Sequence, residues 1–575
     1  MNRVIRLFVL FLLIQKNLFS QEASEFYLQN KSATHKECIS FYQQLDAEYP
    51  HAKLFTKGKT DIGKPLNLFV ISNDGDFDPE SVRKKGKCVL LINNGIHPGE
   101  PDGIDASMKF AENLLGNASN KKLLEHLVIC IIPVYNIDGS YNRGCCSRVN
   151  QNGPAGYGFR GNAQNLDLNR DFIKCDAENT KSFIEIFQEW KPDVFIDNHV
   201  SNGADYQHVL TFIATQKDKL HPLLGNFFNK EMVPQINASL QLKRVNPVPY
   251  VDTKTNIPDD GLIGFLETPR YASGYAALFN TLGFVCETHM LKPFKDRVEA
   301  TIRFMESVSE FSSAHATKIV SLRKQVFAQS LTQVKFPLKW ELDSTGYDVV
   351  PFSGYKAKYK PSEVSGLPRL YYDKNEPWQR EIKFFNNYKA VMEVQKPIAY
   401  IIPQAWKKIV SLLELNGVKT EKIKHDTTIN VVAYTIEDFK TTNNAYEGHY
   451  VHSNIKTMKK RVDINFFEGD YLIYLNQDAN RFLIETLEPH APDSYFAWGF
   501  FDAILQQKEW FSDYVFEDMA EQILKENAPL KEELKQKQIA DSSFAKNAWA
   551  QLYFVYKNSP YFESSYRRYP VYRLE

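Results

Sequence analysis

Four short strings in this sequence carry side chains that could hold a divalent ion and move a proton. His97-Pro98-Gly99-Glu100 follows the apolar run at residues 88–93 (CVLLIN). Imidazole nitrogen and carboxylate oxygen are both zinc ligands, and the Pro-Gly pair supplies a turn that can bring both side chains inward. His199 follows a second strand-like stretch at residues 193–197, apolar at 194–196. Two histidines with one carboxylate leave a fourth coordination position open, the arrangement of a catalytic rather than a structural zinc. Glu287 ends a third run at residues 283–286 (GFVC); a carboxylate there can take a proton from water and hand it to a leaving amine. The last string is Arg160 with residues 165–172 (NLDLNRDF). Of its two arginines, one can stabilise a developing oxyanion and the other can grip a free carboxylate in a bidentate fork. Each string alone also fits a plainer role: a surface turn, a loop histidine, a salt-bridged glutamate, a polar loop.

Those residues need a scaffold that brings them to one place. Residues 34–49 read as a helix with Cys38, Tyr42 and Leu45 on one face. The runs at 88–93 and 127–132 (LVICII), 194–196 and 283–286 have strand length and are apolar throughout. Between them, Ile104, Met108, Ala111 and Leu115, and later Phe183, Ile186, Phe187 and Trp190, recur at helical spacing. Short, wholly apolar strands between helices predict a sheet covered on both faces, hence an α/β domain. In such a sheet ligands bind at the carboxyl ends of the strands, where His97, His199 and Glu287 are all expected.

Taken in order, His97-x-x-Glu100, Asn136-Ile137-Asp138-Gly139, Arg160, Asp167-Leu168-Asn169-Arg170, His199 and Glu287 resemble the carboxypeptidase A family of zinc peptidases. The resemblance covers roughly residues 30–310. It implies a mixed, mostly parallel sheet flanked by helices, with His97, Glu100 and His199 on one zinc ion and Glu287 as catalytic acid/base. It also implies Arg160 as the oxyanion-stabilising arginine, and Asn169 and Arg170 as the holders of a substrate's terminal carboxylate. The family tyrosine that closes over substrate matches Tyr271, with Tyr275 as runner-up. Asn136-Ile137-Asp138-Gly139, with Ile where the family usually has proline, reads as a structural turn. His289, two residues past Glu287, reads as a packed histidine. The substrate expected is a peptide or protein C-terminus. The competing readings are an amidohydrolase or cell-wall peptidase on the same scaffold and a non-catalytic peptide-binding protein.

The rest of the chain bounds this reading. At 575 residues it is too long for one core. Lys+Arg 69 balances Asp+Glu 69, which excludes a whole-chain basic field for nucleic acid. Residues 1–20 start with Arg3 and Arg6, continue with the apolar run 7–14 (LFVLFLLI) and turn polar at Gln21. That is the layout of a cleavable secretory signal, too short for a transmembrane helix, so a secreted or periplasmic location is expected. Seven cysteines are few for a secreted protein and odd in number, which speaks against a disulfide framework. The expected organisation is a signal peptide at 1–20 and a catalytic domain at 21–320. A C-terminal α+β extension follows, β-rich with an α/β segment at 321–450 and mixed, largely helical at 451–575. The acidic candidates for the floor of a side-chain pocket are Asp252, Asp259, Asp260 and Glu267; the sequence leaves the choice among them open, and the oligomeric state too.

Overall fold

A computed structural model describes residues 24–575; residues 1–20, expected to be a signal peptide, lie outside the described residues. The first helix, His35–Glu48, begins at a capping box. Thr34 Oγ accepts from the Glu37 amide, and the Glu37 carboxylate accepts from the Thr34 amide at 2.8 Å. Around it lies a sheet of eight strands: β1 (Ala52–Lys59), β2 (Pro65–Ile71), β3 (Cys88–Asn94), β4 (Leu127–Ile132), β5 (Val194–Ser201), β6 (Leu210–Ala214), β7 (Val248–Pro249) and β8 (Leu282–His289). Their spatial order is β1-β2-β4-β3-β5-β8-β6-β7. The central pairs β4–β3, β3–β5 and β5–β8 are parallel, while β1–β2, β2–β4 and β8–β6 are antiparallel. The expected mixed, mostly parallel sheet is therefore observed. Helices Asp102–Gly116 and Phe294–Ala314 pack together on it, and helix Glu178–Trp190 buries Phe183, Ile186, Phe187 and Trp190 against it.

Two strands run further than their apolar letters suggest. β5 continues through His199 to Ser201, and β8 through Glu287 to His289. The two catalytic candidates thus sit inside strands rather than just beyond them, because ladder hydrogen bonds hold polar residues in extended form once partners exist on both sides. The helix Ala316–Thr332 runs across residue 320.

Beyond it, strands Asp348–Pro361 and Pro368–Phe385 form a long hairpin, and a six-stranded sheet gathers Ala399–Ile402, Thr427–Thr441, His452–Phe466, Tyr471–Tyr474 and the final strand Tyr572–Leu574 among its members. The division expected at residue 450 falls inside the hairpin formed by Thr427–Thr441 and His452–Phe466. Tyr400, Ile473, Phe482 and Trp498 of the extension are buried in one cluster with the sheet core, whereas Phe516, Val555 and Tyr556 form a separate helical core. Cys145 and Cys146 are bonded to each other; Cys38, Cys88, Cys130, Cys175 and Cys286 are buried free thiols. No helix among the described residues is long and apolar enough to cross a membrane.

Candidate active site

Parallel pairing of β5 with β8 sets His199 directly opposite Glu287, so neighbouring side chains on adjacent strands emerge on one face about 5 Å apart. The loop after β3 brings His97 and Glu100 to the same place. That loop is wedged from below by glycines: a Cβ on Gly158 would meet Pro98 Cβ at 2.5 Å, and one on Gly139 would meet the Phe159 carbonyl oxygen at 2.4 Å. Asn136 closes the same junction, its amide donating to the Ile96 and Arg160 carbonyls while its oxygen caps Gly139. The Asn-Ile-Asp-Gly string, expected as a turn, instead caps and opens the short helix Ile137–Tyr141, Asn136 being its N-cap.

His97, Glu100 and His199 are buried, and their ligand atoms all lie within 4.8 Å of one another. The two imidazoles are 4.9 Å apart between centroids. Each turns Nδ1 toward Glu100, His97 at 3.3 Å from Oε1 and His199 at 3.1 Å from Oε2. Each has its far nitrogen on a carboxylate: His97 Nε2 lies 2.9 Å from Asp167 Oδ1, and His199 Nε2 lies 2.8 Å from Asp197 Oδ2. Buried His97 Nδ1, although 3.3 Å from Glu100 Oε1, makes no aligned hydrogen bond. An orphaned nitrogen, a convergent carboxylate and histidines backed by carboxylates fit a divalent cation, since outer carboxylates fix the tautomer and sharpen the donor.

Charge is concentrated here. Burial alone would raise the Glu100 carboxyl, but Arg148, at 2.7 Å from Oε1, together with His97 and His199 holds it well below the usual range. Burial pushes Glu287 up to about 8, His199 pulling it down and Glu100 adding to the rise. Asp167 resists burial through His97, Arg160 and Arg170 and stays well below an ordinary carboxylate. Arg160 leans on it with Nε at 3.0 Å and on Glu100 with Nη1 at 3.3 Å, while keeping 43% of its side chain exposed to the cleft.

On the other side of the cleft the turn Leu168–Arg170 is capped by the Asp167 side chain. Asn169 Oδ1 accepts from the Ala272 amide, which leaves its own amide nitrogens as donors. Arg170 lies over the Tyr271 ring, 4.4 Å from its centroid. The structure thus gathers Asn169, Arg170 and Tyr271. Tyr275 is elsewhere: fully buried, its hydroxyl donates to Asn416 Oδ1. His289 is buried too, with Nε2 donating to the Ala204 carbonyl and Nδ1 accepting from the Leu291 amide. Of the acidic candidates, Glu267 is wholly buried and accepts from the Gln216 amide, Asp259 pairs with Arg380, and Asp252 is pushed up by burial beside the cleft.

Four further residues belong to the cluster and received no role from sequence reasoning. Asp197 precedes His199 by two, the strand period that puts both on one face. Asp167 stands in the recognised string. Arg148 and Tyr250 lie on loops, without a local signal; burial raises the Tyr250 phenol, and the charges of Glu287 and Glu100 add to it.

Residues 38–218 match the peptidase M14 family, described as zinc carboxypeptidase. The chain is 23% identical over 433 residues to carboxypeptidase 2 of Trichophyton tonsurans, spanning 72% of this chain and 74% of that one, and equally close to carboxypeptidase 2 of Trichophyton rubrum over 434 residues. Among solved structures it is similar to a metallo-carboxypeptidase from Pseudomonas aeruginosa bound to (2-guanidinoethylmercapto)succinic acid, at 14% identity and TM-score 0.38 over 50% of this chain and 70% of that one. Carboxypeptidase A from Helicoverpa armigera is similar at 16% identity and TM-score 0.38, over 53% and 81%.

Proposed function

We propose, from the premise that this chain carries a zinc carboxypeptidase domain and is a metallocarboxypeptidase-type hydrolase, that it removes C-terminal residues from peptides with Glu287 as general base. The observation that carries the reading is the register of β5 and β8, which sets Glu287 beside His199 and thus beside the convergent donors of His97 and Glu100. When bound there, one zinc ion supplies Lewis-acid polarisation of the scissile carbonyl and makes water a nucleophile near neutral pH. Glu287, raised by burial but favoured in its ionised form by the charge of a dication beside it, takes the proton of the attacking water and delivers it to the departing amine. Arg160, partly open to the cleft, donates to the developing oxyanion. The Asn169 amide and the Arg170 fork hold the terminal carboxylate, and Tyr271, stacked on Arg170, closes the end of the cleft. Exopeptidase selectivity follows from that grip, because it admits only the last peptide bond to the ion. The N-terminal leader pattern of residues 1–20 supports export, and hence extracellular or periplasmic peptides as substrates.

The test is Glu287→Gln assayed on N-blocked dipeptides after zinc loading. The substitution preserves shape and removes the base, so kcat is expected to fall by at least about 10²-fold with zinc content at wild-type level. Full turnover by the variant would remove Glu287 from the mechanism, and a wild-type enzyme indifferent to chelation would remove the metal.

A further inference from the structure

We propose that Tyr446 and Glu447, supplied by the C-terminal extension, are positioning residues of the terminal-carboxylate site. The inference rests on the carboxypeptidase reading given above and adds to it residues far from the matched segment. Residues 442–451 join the strands Thr427–Thr441 and His452–Phe466, and their loop reaches across onto the segment that carries Asn169 and Arg170. Tyr446 Oη accepts from Arg170 Nε at 3.1 Å, and the Asn169 carbonyl accepts from Arg170 Nη1 at 2.8 Å. With those two donors engaged, the end-on edge of the fork is the edge left for a bidentate carboxylate. Glu447 Oε2 accepts from the Asp167 amide at 2.7 Å, fixing the residue whose carboxylate already holds His97 and Arg160. Glu447 does so from a left-handed backbone, φ 50°, a conformation a side-chain-bearing residue keeps only where its surroundings impose it.

Two more contacts anchor the same loop. His449 Nε2 lies 2.7 Å from Asp176 Oδ2. Arg270, next to Tyr271, sits against the Tyr446 and Trp498 rings and pairs with Asp493 at 2.7 Å. Every residue assigned to the carboxylate grip is therefore touched by the extension or adjoins a residue that is.

The test uses the full chain. Tyr446→Phe keeps the ring and removes only the hydroxyl. Its KM for an N-blocked dipeptide is expected to rise roughly five- to tenfold, the effect of one lost hydrogen bond of ordinary strength acting through Arg170, with kcat falling less. The amidated form of the same peptide, used as a competitive inhibitor, is expected to keep its inhibition constant, because it lacks the carboxylate. Glu447→Ala is expected to raise KM similarly and Glu447→Gln, which retains the acceptor, to restore it. An unchanged KM in Tyr446→Phe and Glu447→Ala overturns the proposal. So does a parallel loss of affinity for the amidated peptide, which marks general loosening. Arg170→Ala separates the two levels: if it fails to weaken carboxylate-ended substrate selectively, the underlying carboxypeptidase reading falls, whereas a selective loss there beside a silent Tyr446→Phe sinks only this inference.

Discussion

The two sides of the cleft are built differently. On the ion side, His199 and Glu287 lie in the middle of hydrogen-bonded parallel strands, and His97 and Glu100 in a loop wedged by close-packed glycines. All three donors are buried, and each histidine is backed by a carboxylate from the same domain. On the carboxylate side, Asn169 and Arg170 sit on a single 3-10 turn and Tyr271 at the start of a short helix. Their supports, Tyr446, Glu447 and Asp493, come from 223 to 280 residues away in the chain. On the proposed reading the chemistry would be held by the sheet itself, and substrate selection by contacts between the sheet domain and its extension. An ion needs donors fixed to a few tenths of an ångström; a carboxylate grip can be altered by a neighbouring loop without disturbing them.

That division predicts two separable failures. The larger belongs to Asp493, whose side chain is fully buried beside Arg270. Asp493→Ala leaves the guanidinium without its partner, and stability measured by denaturant unfolding is expected to drop by about 3 kcal/mol, with KM rising and zinc content unaltered. The smaller belongs to Asp197, which orients His199 and also accepts from Asn93. Asp197→Asn is expected to weaken zinc binding by roughly 10–100-fold, read by competition with a chromogenic chelator, while KM of the fully loaded enzyme stays near wild type. A loss of zinc in the Asp493 variant, or a raised KM in the loaded Asp197 variant, would mean that the two sides are one coupled unit.

The same division explains what could be read from the letters. Strand β4 and the first five residues of β3 are uniformly apolar and declared themselves, as did the helix over Phe183 to Trp190, because burial on a fixed period leaves a pattern. His97, Glu100 and His199 were legible as donors, and their order along the chain as a family likeness. The ends of β5 and β8 were not, since His199, Glu287 and His289 are polar residues kept in strand form by ladder partners on either side. Asp197 was within reach of the strand period. Arg148 and Tyr250 were not, because irregular loops place them. Tyr446 and Glu447 lay beyond any local signal: only tertiary packing of a hairpin loop against residues 167–176 makes them part of the site.

Buried carboxyls sharpen the contrast at a smaller scale. In the extension Glu488 is met by Arg573, Tyr400 and Tyr434. In the sheet domain Asp105, on the helix Asp102–Gly116, is met by Ser32 Oγ at 2.6 Å and the Ala33 amide at 3.0 Å. Burial pushes the Asp105 carboxyl up to about 7, these hydrogen bonds only partly opposing it. Because its folded value lies above its ordinary one, the folded state holds a proton that the unfolded chain releases near pH 4. Its contribution to stability is therefore fully present below about pH 4 and is lost as pH rises through about 7. Asp105→Asn removes the titration and keeps the shape. The stability difference between variant and wild type is expected to move in the variant's favour by about 1 kcal/mol between pH 6 and pH 7 and to level off above that. A difference that stays flat across pH 4–8 in denaturant titrations would mean that Asp105 ionises in the folded state as it does in water.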